Sequence, residues 1–180
     1  MELTQEMLRQ LHSIELEMLL EVDRICKENE INYTIIGGTL LGAVRHRGFI
    51  PWDDDADIAM LRPEYEKFCL IVDEKLDNTK FYFQNMERTE GYRWGYAKLR
   101  RKGTLFLREN QEYMKYEQGI FLDIFPIDGT PDNSVLRKIH KFRCFCVRKI
   151  LWSEVGKRVC TKMPEKLIYG ILSKIPERVV

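Results

Sequence analysis

Apolar residues recur at intervals of three and four positions near the start of the chain, with charged residues between them. The repeating apolar positions are Leu11, Ile14, Met18, Val22 and Ile25. This spacing predicts an amphipathic helix over residues 4–30, with its apolar stripe facing a core.

The chain then alternates between short β-type segments and helical segments. A β-branched and aromatic run at 32–36 predicts a strand that ends at Gly37-Gly38. The other predicted strands are 55–61, 81–84, 94–100, a hairpin return at 104–107, and 119–125, the last stopped by Pro126. The other predicted helices are 40–44, 63–78, 134–152 and 164–173. This order predicts the α/β (α+β) class.

The net charge of +1, from 29 basic and 28 acidic residues, conceals an asymmetry. Residues 1–132 hold 17 basic and 25 acidic residues, whereas 133–180, here called the basic arm, hold 12 and 3. An anionic partner is expected for this arm, either a membrane surface or a polyanionic substrate, rather than a nucleic acid; a solvated helix face is the alternative.

The first helix of the basic arm has an apolar stripe opposite its basic side. The stripe consists of Val135, Ile139, Phe142, Cys146 and Ile150. We expect it to pack on the core, which leaves the basic side to meet anionic lipid-linked precursors at a membrane. No run reaches about 18 consecutive apolar residues and the N-terminus is acidic, so the expected location is the cytoplasm, including the inner face of the membrane.

Two glycines and an acidic run lie close together in the sequence. Gly37 and Gly38 precede a predicted helix, where backbone N–H groups can approach a phosphate, although such turns are also common without any ligand. The segment 53–57 carries four aspartates, whose mutual repulsion favours a bound cation; a solvated acidic loop is the alternative. Since side chains alternate along a strand, Asp55 and Asp57 are expected on one face.

A third carboxylate stands in a strongly apolar segment, where an unpaired charge would be costly to bury. If the strand at 119–125 neighbours that at 55–61, Asp123 joins Asp55 and Asp57 in a site for one or two divalent cations. Oxygen ligands of this kind suit Mg²⁺ or Mn²⁺. An EF-hand calcium loop is excluded, because its glycine position is occupied by Ile58.

These residues resemble the signature of the LicD family of phosphotransferases, which includes bacterial phosphocholine transferases and relatives of fukutin. The matching motifs are Gly38-Thr39-Leu40-Leu41-Gly42, Gly48-Phe49-Ile50-Pro51-Trp52-Asp53-Asp54-Asp55-Ala56-Asp57-Ile58, Tyr96-Ala97-Lys98-Leu99-Arg100 and Leu122-Asp123-Ile124-Phe125-Pro126. The resemblance covers roughly residues 10–130, and family members are commonly longer.

The resemblance implies a nucleotidyltransferase-like core at 1–132, with a mixed sheet flanked by helices, followed by a helical basic segment at 133–180. In that fold Asp55, Asp57 and Asp123 are the catalytic and metal-binding residues, and the cofactor is Mg²⁺ or Mn²⁺. The positions expected to contact the donor are Gly37, Gly38, Thr39, Arg45, Lys98 and Arg100. For Arg45, a surface cluster with its neighbours is the alternative.

The implied activity is transfer of a phosphoryl-alcohol group, such as phosphocholine, from a CDP-linked donor to a sugar hydroxyl. The implied acceptor is a cell-surface glycan, a lipid-linked glycan or a teichoic acid precursor. Two alternatives stay open. One is a nucleotidyltransferase that uses a nucleoside triphosphate and a small molecule, and the other is a catalytically silent protein that binds glycan or lipid.

Overall fold

The computed structural model describes residues 3–175, and its centre is a five-stranded mixed sheet. The strands are β1 (Thr34–Ile35), β2 (Ala56–Leu61), β3 (Phe81–Gln84), β4 (Ala97–Arg101) and β5 (Phe121–Ile127). Their order across the sheet is β1-β2-β5-β4-β3. β2 and β5 run parallel, whereas the other three neighbouring pairs are antiparallel.

Six helices accompany the sheet within the described range. They are α1 (Gln5–Glu28), α2 (Gly37–His46), α3 (Arg62–Lys75), α4 (Ser134–Leu151), α5 (Ser153–Val159) and α6 (Met163–Leu172). The predicted α+β class, a mixed sheet with flanking helices, is confirmed. None of these helices is both long enough and apolar enough to serve as a membrane span.

The chain divides into two compact units. The core unit comprises Met1–Thr89, Tyr96–Phe106 and Glu117–Asp128, and therefore holds the whole sheet with α1, α2 and α3. The C-terminal unit comprises Glu90–Gly95, Leu107–Tyr116 and Gly129–Val180, and holds α4, α5 and α6.

One face of the sheet is covered by α1 and α3. The N-terminus of α1 is capped by Thr4, whose hydroxyl accepts a hydrogen bond from the Met7 amide at 3.2 Å. The apolar stripes of the two helices, which include Met18, Val22, Phe68 and Val72, pack in one core with alternate residues of the strands. These strand residues include Ile58, Met60, Leu99, Leu122 and Ile124. Since strand side chains alternate, Asp57, Lys98 and Asp123 project from the opposite face.

Helix α2 differs from the predicted short helix at 40–44, because the two glycines form its first turn. Ile36 is the N-cap: its amide donates to the Asp57 carbonyl at 3.1 Å, and its carbonyl accepts from the Leu40 amide at 3.1 Å. Gly37 has a φ of +57°, a conformation that glycine adopts without the steric cost of a Cβ atom.

Two further predictions about the strands are wrong. Residues 104–107 form no strand, although the Phe106 amide donates to the Gln118 carbonyl at 2.7 Å. Pro126 does not stop β5, which continues to Ile127. The pairing of β5 with β4 ends at Ile124, so Pro126 has a ladder neighbour on the β2 side alone, and a proline is tolerated there.

In the C-terminal unit, the N-cap of α4 is Asn133, whose side chain accepts hydrogen bonds from the Val135 and Leu136 amides. The Lys149 ammonium donates to the Tyr169 hydroxyl of α6 at 2.8 Å. The expected burial of the α4 stripe is wrong: no residue of α4 is buried, and Ile139 and Phe142 are exposed.

Candidate active site

Three charged residues form a row across the middle of the sheet. In the register of the strands Asp57 of β2 lies beside Asp123 of β5, and Asp123 lies beside Lys98 of β4. The condition on which Asp123 was expected to join Asp57, that their two strands are neighbours, is therefore met. The Lys98 ammonium bonds to the Asp123 carboxylate, and the two residues are only 6% and 5% exposed.

Aromatic rings border the Lys98–Asp123 pair on the same face. The Lys98 ammonium nitrogen lies 3.5 Å from the centre of the Phe121 ring and 5.3 Å from that of Tyr96. The Tyr96 ring in turn contacts Phe125, with 4.5 Å between ring centres. These rings exclude water from one side of the charged row, so electrostatic interactions there are stronger than at an open surface.

The first turn of α2 approaches the aspartates closely. The Asp57 amide donates to the Thr39 hydroxyl at 2.8 Å. A Cβ atom on Gly37 would lie 3.0 Å from Asp57 Oδ2, and one on Gly38 would lie 2.3 Å from Asp53 Oδ2. The two glycines therefore let these carboxylates lie in close contact with the positive end of the α2 dipole.

The segment before β2 carries three adjacent aspartates, Asp53, Asp54 and Asp55. Carboxylate oxygens of Asp53, Asp54 and Asp55 lie within 4.8 Å of one another. Burial, followed by repulsion from Asp55 and Asp123, raises the pKa of Asp57 to about 6, while Lys98 opposes this shift. Burial and repulsion from Asp55 also raise the pKa of Asp53.

Glu15 of α1 is a further carboxylate of this region, and it was absent from the predicted site. It is 1% exposed, and neither of its carboxylate oxygens has a hydrogen-bond partner among the described residues. Burial raises its pKa to about 9, and repulsion from Asp55, Asp54, Asp53 and Asp57 adds to the shift. The signal was in the sequence, because Glu15 occupies a position of the apolar stripe between Leu11 and Met18.

Two of the residues expected to bind the donor are placed differently from the others. Arg45 lies away from the aspartates, and Arg100 already donates hydrogen bonds to neighbouring residues. Arg45 is exposed in the last turn of α2, about 12 Å along the helix axis from Gly37. Arg100 is buried on β4, where it donates to Gln84 Oε1 at 3.0 Å and to the Gly119 carbonyl at 2.8 Å. The direct contribution of both residues to donor binding stays a prediction.

The chemistry of these side chains fits a hard divalent cation. The available ligands are carboxylate oxygens, which Mg²⁺ and Mn²⁺ prefer over nitrogen or sulfur. Burial, and after it repulsion from neighbouring aspartates, raises the pKa of both Asp57 and Glu15, so the ionised form of each carboxylate is disfavoured here. A cation held by Asp55, Asp57 and Asp123 would offset the repulsion among these carboxylates.

The chain is similar to known proteins in the part that contains this site. A family model described as LicD/FKTN/FKRP, nucleotidyltransferase domain, matches residues 30–144. The chain is 36% identical over 125 residues to the lipopolysaccharide cholinephosphotransferase LicD of Haemophilus influenzae, which covers 69% of this chain and 46% of that protein.

Shorter matches involve two uncharacterised rickettsial proteins. One from Rickettsia typhi is 41% identical over 56 residues, which is 31% of this chain and 18% of that protein. One from Rickettsia prowazekii is 44% identical over 48 residues, or 27% of this chain and 18% of that protein. The matched segments thus span less than half of each of these relatives.

Proposed function

Because this chain belongs to the LicD nucleotidyltransferase family, we propose that it transfers a phosphorylated alcohol such as phosphocholine to a sugar hydroxyl. The donor in this proposal is CDP-linked, and the acceptor is a cell-surface glycan or its lipid-linked or teichoic acid precursor. The Haemophilus relative, named for cholinephosphate transfer to lipopolysaccharide, supports phosphocholine as the transferred group and a glycan as the acceptor. The observation that carries the proposal is the register of Asp57, Asp123 and Lys98 beside the glycine turn.

The first turn of α2 and the charged row both contribute to binding the donor. The amides of Gly37 and Gly38, at the positive end of the helix, donate to phosphate oxygens of the donor. Thr39 fixes the Asp57 backbone through its hydroxyl and so holds β2 against α2. Lys98 keeps a positive charge beside Asp123, where it stabilises negative charge that develops on the pyrophosphate.

Asp55, Asp57 and Asp123 are the residues that would hold Mg²⁺ or Mn²⁺. When bound, this ion neutralises phosphate oxygens and stabilises the charge that builds up on the leaving nucleotide. Asp123, or Asp57 beside it, accepts the proton of the attacking sugar hydroxyl, since both carboxylates project from the same face of neighbouring strands.

The basic arm supplies a contact with an anionic membrane in this proposal. Six cations and no acidic residue lie in α4, and its apolar residues Val135, Ile139 and Phe142 are exposed. A helix that combines these two features binds the boundary between anionic head groups and acyl chains. The chain then acts in the cytoplasm at the inner face of the membrane, where lipid-linked acceptors are anchored.

The test incubates the full chain and Mg²⁺ with either CDP-choline or a nucleoside triphosphate as the donor. CDP-choline with a hexose-containing acceptor should release CMP and yield a phosphocholine-modified glycan. Replacing Asp57 with Asn keeps the side-chain shape but removes its charge, and turnover should fall at least ~100-fold. The variant should unfold no more easily than the parent in chelator, because repulsion among the carboxylates is relieved.

Other products would point to other functions. Pyrophosphate release from a nucleoside triphosphate, without CMP release from CDP-choline, would identify a nucleotidyltransferase instead. Near-normal turnover of Asp57→Asn would remove Asp57 from the catalytic site. Binding of glycan without consumption of either donor would indicate a catalytically silent protein.

A further inference from the structure

We propose that the outer face of α2 lies against anionic lipid and holds the candidate active site next to acceptors anchored in the membrane. This face, called the α2 surface below, consists of Leu40, Leu41 and Val44 with the neighbouring Arg45 and Arg47. The inference rests on the proposed function for the class of acceptor, a lipid-linked glycan. It adds a membrane contact made by residues of the core unit, outside the basic arm.

Three large apolar side chains lie together on the exposed side of α2. Leu40 is 45% exposed, Leu41 is 44% exposed and Val44 is 73% exposed. Because residues three and four positions apart share one side of a helix, Val44 lies beside both leucines. The buried positions of α2, Thr39 and Gly42, are also three apart and lie on the opposite side. The solvent side of this helix is therefore apolar, the reverse of the usual amphipathic pattern.

An exposed tryptophan accompanies this apolar side. Trp52 is 71% exposed, and its ring lies edge-on to that of His46, in the last turn of α2, with 6.0 Å between ring centres. Tryptophan is enriched where protein meets the boundary between water and lipid. Single exposed apolar residues are common on soluble proteins, whereas a group of them bordered by charged residues indicates a contact surface.

The charge around this apolar side favours an anionic lipid surface as its occupant. Residues 31–52 contain no aspartate or glutamate. Arg45 and Arg47 are exposed at the C-terminal end of α2. A helix that combines apolar side chains with cations binds between anionic head groups and acyl chains. A second copy seated on the same face would bring two further arginines to it, and their repulsion disfavours that occupant.

The α2 surface begins next to the candidate active site. Leu40 directly follows the first turn of α2, whose glycines approach the carboxylates of Asp57 and Asp53. Val44 lies about 10 Å along the helix axis from Gly37. A membrane in contact with this helix is thus within reach of the proposed catalytic carboxylates. A sugar linked to a lipid head group can then approach them while its lipid stays in the membrane.

The first experiment identifies what contacts α2. Val44→p-benzoylphenylalanine places a photoreactive side chain on the α2 surface of the full chain. Illumination with vesicles of phosphatidylglycerol and phosphatidylcholine at low salt should give covalent lipid adducts, which mass spectrometry detects. The matched control carries the same amino acid at Leu70 of α3, which is also exposed, and should give no adduct above the level found without vesicles.

The second experiment removes the apolar side chains. Leu41→Gln/Val44→Gln keeps good helix-forming residues, so α2 should remain folded. Sedimentation with the same vesicles at low salt should show binding at least ~5-fold weaker than that of the parent. The matched control Leu20→Gln/Leu70→Gln changes two exposed leucines of α1 and α3 and should bind like the parent.

Turnover separates this inference from the proposed function. With a free hexose-containing acceptor, Leu41→Gln/Val44→Gln should release CMP from CDP-choline as fast as the parent does. With a glycosyl diacylglycerol in the vesicles as acceptor, CMP release should fall at least ~5-fold in this variant. Failure of the parent to release CMP with either acceptor would remove the proposed function, and the crosslinking result would still decide what the α2 surface contacts.

Three results would overturn the proposal. The first is the absence of lipid adducts from position 44 in chain that sediments with the vesicles, which would leave the basic arm as the membrane contact. The second is the formation of adducts between two copies of the chain without vesicles, which would show that a second copy covers the α2 surface. The third is failure of the parent to sediment with these vesicles at low salt.

Discussion

The Lys98–Asp123 contact places an ion pair in the middle of the sheet, with both partners almost inaccessible to water. Lys98→Met would leave the Asp123 carboxylate buried beside Asp57 without its counter-charge. Removal of one partner of such a pair costs about 3–5 kcal/mol. We expect urea unfolding in chelator to show a loss of that size.

The double variant Lys98→Met/Asp123→Leu serves as the control, because it removes both charges together. It should recover most of the lost stability. Equal stability of Lys98→Met and the parent would show that the pair carries no net stabilisation in solution.

Glu15 gives the chelated protein an unusual dependence of stability on pH. Its pKa rises from an ordinary 4.5 to about 9 on folding, so the folded state retains a proton that the unfolded state releases. Stability is therefore lost as pH rises between these two values. The shift of Asp57 to about 6 acts in the same direction at the acidic end.

Chemical unfolding in chelator should thus show lower stability at pH 8.5 than at pH 6.5. Hydrogen bonds from Arg24 and Lys27 lower the pKa of Glu21 and Asp23, but these groups are ionised throughout that window and contribute no slope. Glu15→Gln should flatten the dependence. A slope that survives in this variant would assign the effect to another group.

Sequence reasoning placed Asp57 and Asp123 correctly because each breaks an apolar pattern that strand alternation makes easy to follow. It passed over Glu15 although that residue interrupts the α1 stripe in the same way. The reason is physical: a glutamate at the edge of a helical stripe can turn its flexible side chain to solvent, and only the tertiary structure determines that Glu15 is buried.

At the scale of elements, the close approach of α2 to the following loop depends on Gly42. A Cβ atom there would lie 2.6 Å from the Gly48 carbonyl oxygen and 2.9 Å from the Ile50 amide nitrogen. Since both are backbone atoms, the loop itself would have to shift. Gly42→Ala should destabilise the protein by about 1–3 kcal/mol in denaturant unfolding.

Gly48→Ala is the matched control for this effect. A Cβ atom on Gly48 meets nothing within 4 Å, so stability should change by no more than about 0.5 kcal/mol. Similar losses in the two variants would indicate that helix propensity or chain entropy, rather than the contact, determines the cost.

The differences at the element level share a cause in tertiary pairing. Local propensity placed Gly37 and Gly38 before the helix, but the bond between the Ile36 amide and the Asp57 carbonyl sets the start of α2 at the glycines. Propensity likewise ended β5 at Pro126, whereas the absence of a β4 neighbour beyond Ile124 allows it to continue. Neither pairing partner is visible from the local sequence.

At the scale of the whole molecule, the basic arm should bind anionic vesicles in a salt-dependent manner. We expect the full chain to sediment with vesicles that contain phosphatidylglycerol at low salt, and to be released at high salt. Lys138→Glu/Lys141→Glu should weaken this binding at least ~10-fold, since each nearby cation contributes about 1 kcal/mol.

Two comparisons test this expectation. Lys115→Glu reverses an exposed charge outside α4 and should bind vesicles much as the parent does. Ile139→Ser/Phe142→Ser should weaken vesicle binding at low salt, because the exposed apolar residues of α4 also contribute to it. Failure of the parent to sediment with any vesicle at either ionic strength would rule out a membrane role for the arm.

Composition alone indicated the difference in charge between the core and the basic arm, because charged residues can be counted along the sequence without knowledge of the fold. It could not indicate which side of α4 is covered. Burial of a stripe depends on neighbouring elements, and in the C-terminal unit residues such as Val135 and Phe142 stay exposed.

The position of β5 has a consequence for how the protein is made. Among the described strands β5 is the last to leave the ribosome, yet it lies in the centre of the sheet, between β2 and β4. Until it emerges, β1-β2 and β3-β4 are two separate ribbons whose inner edges have no partner and can associate with other chains. Insertion of β5 then closes both edges and brings Asp123 to Asp57 in the same event. A nascent chain interrupted before residue 121 therefore lacks one of the aspartates of the proposed catalytic centre and is also a candidate for chaperone capture.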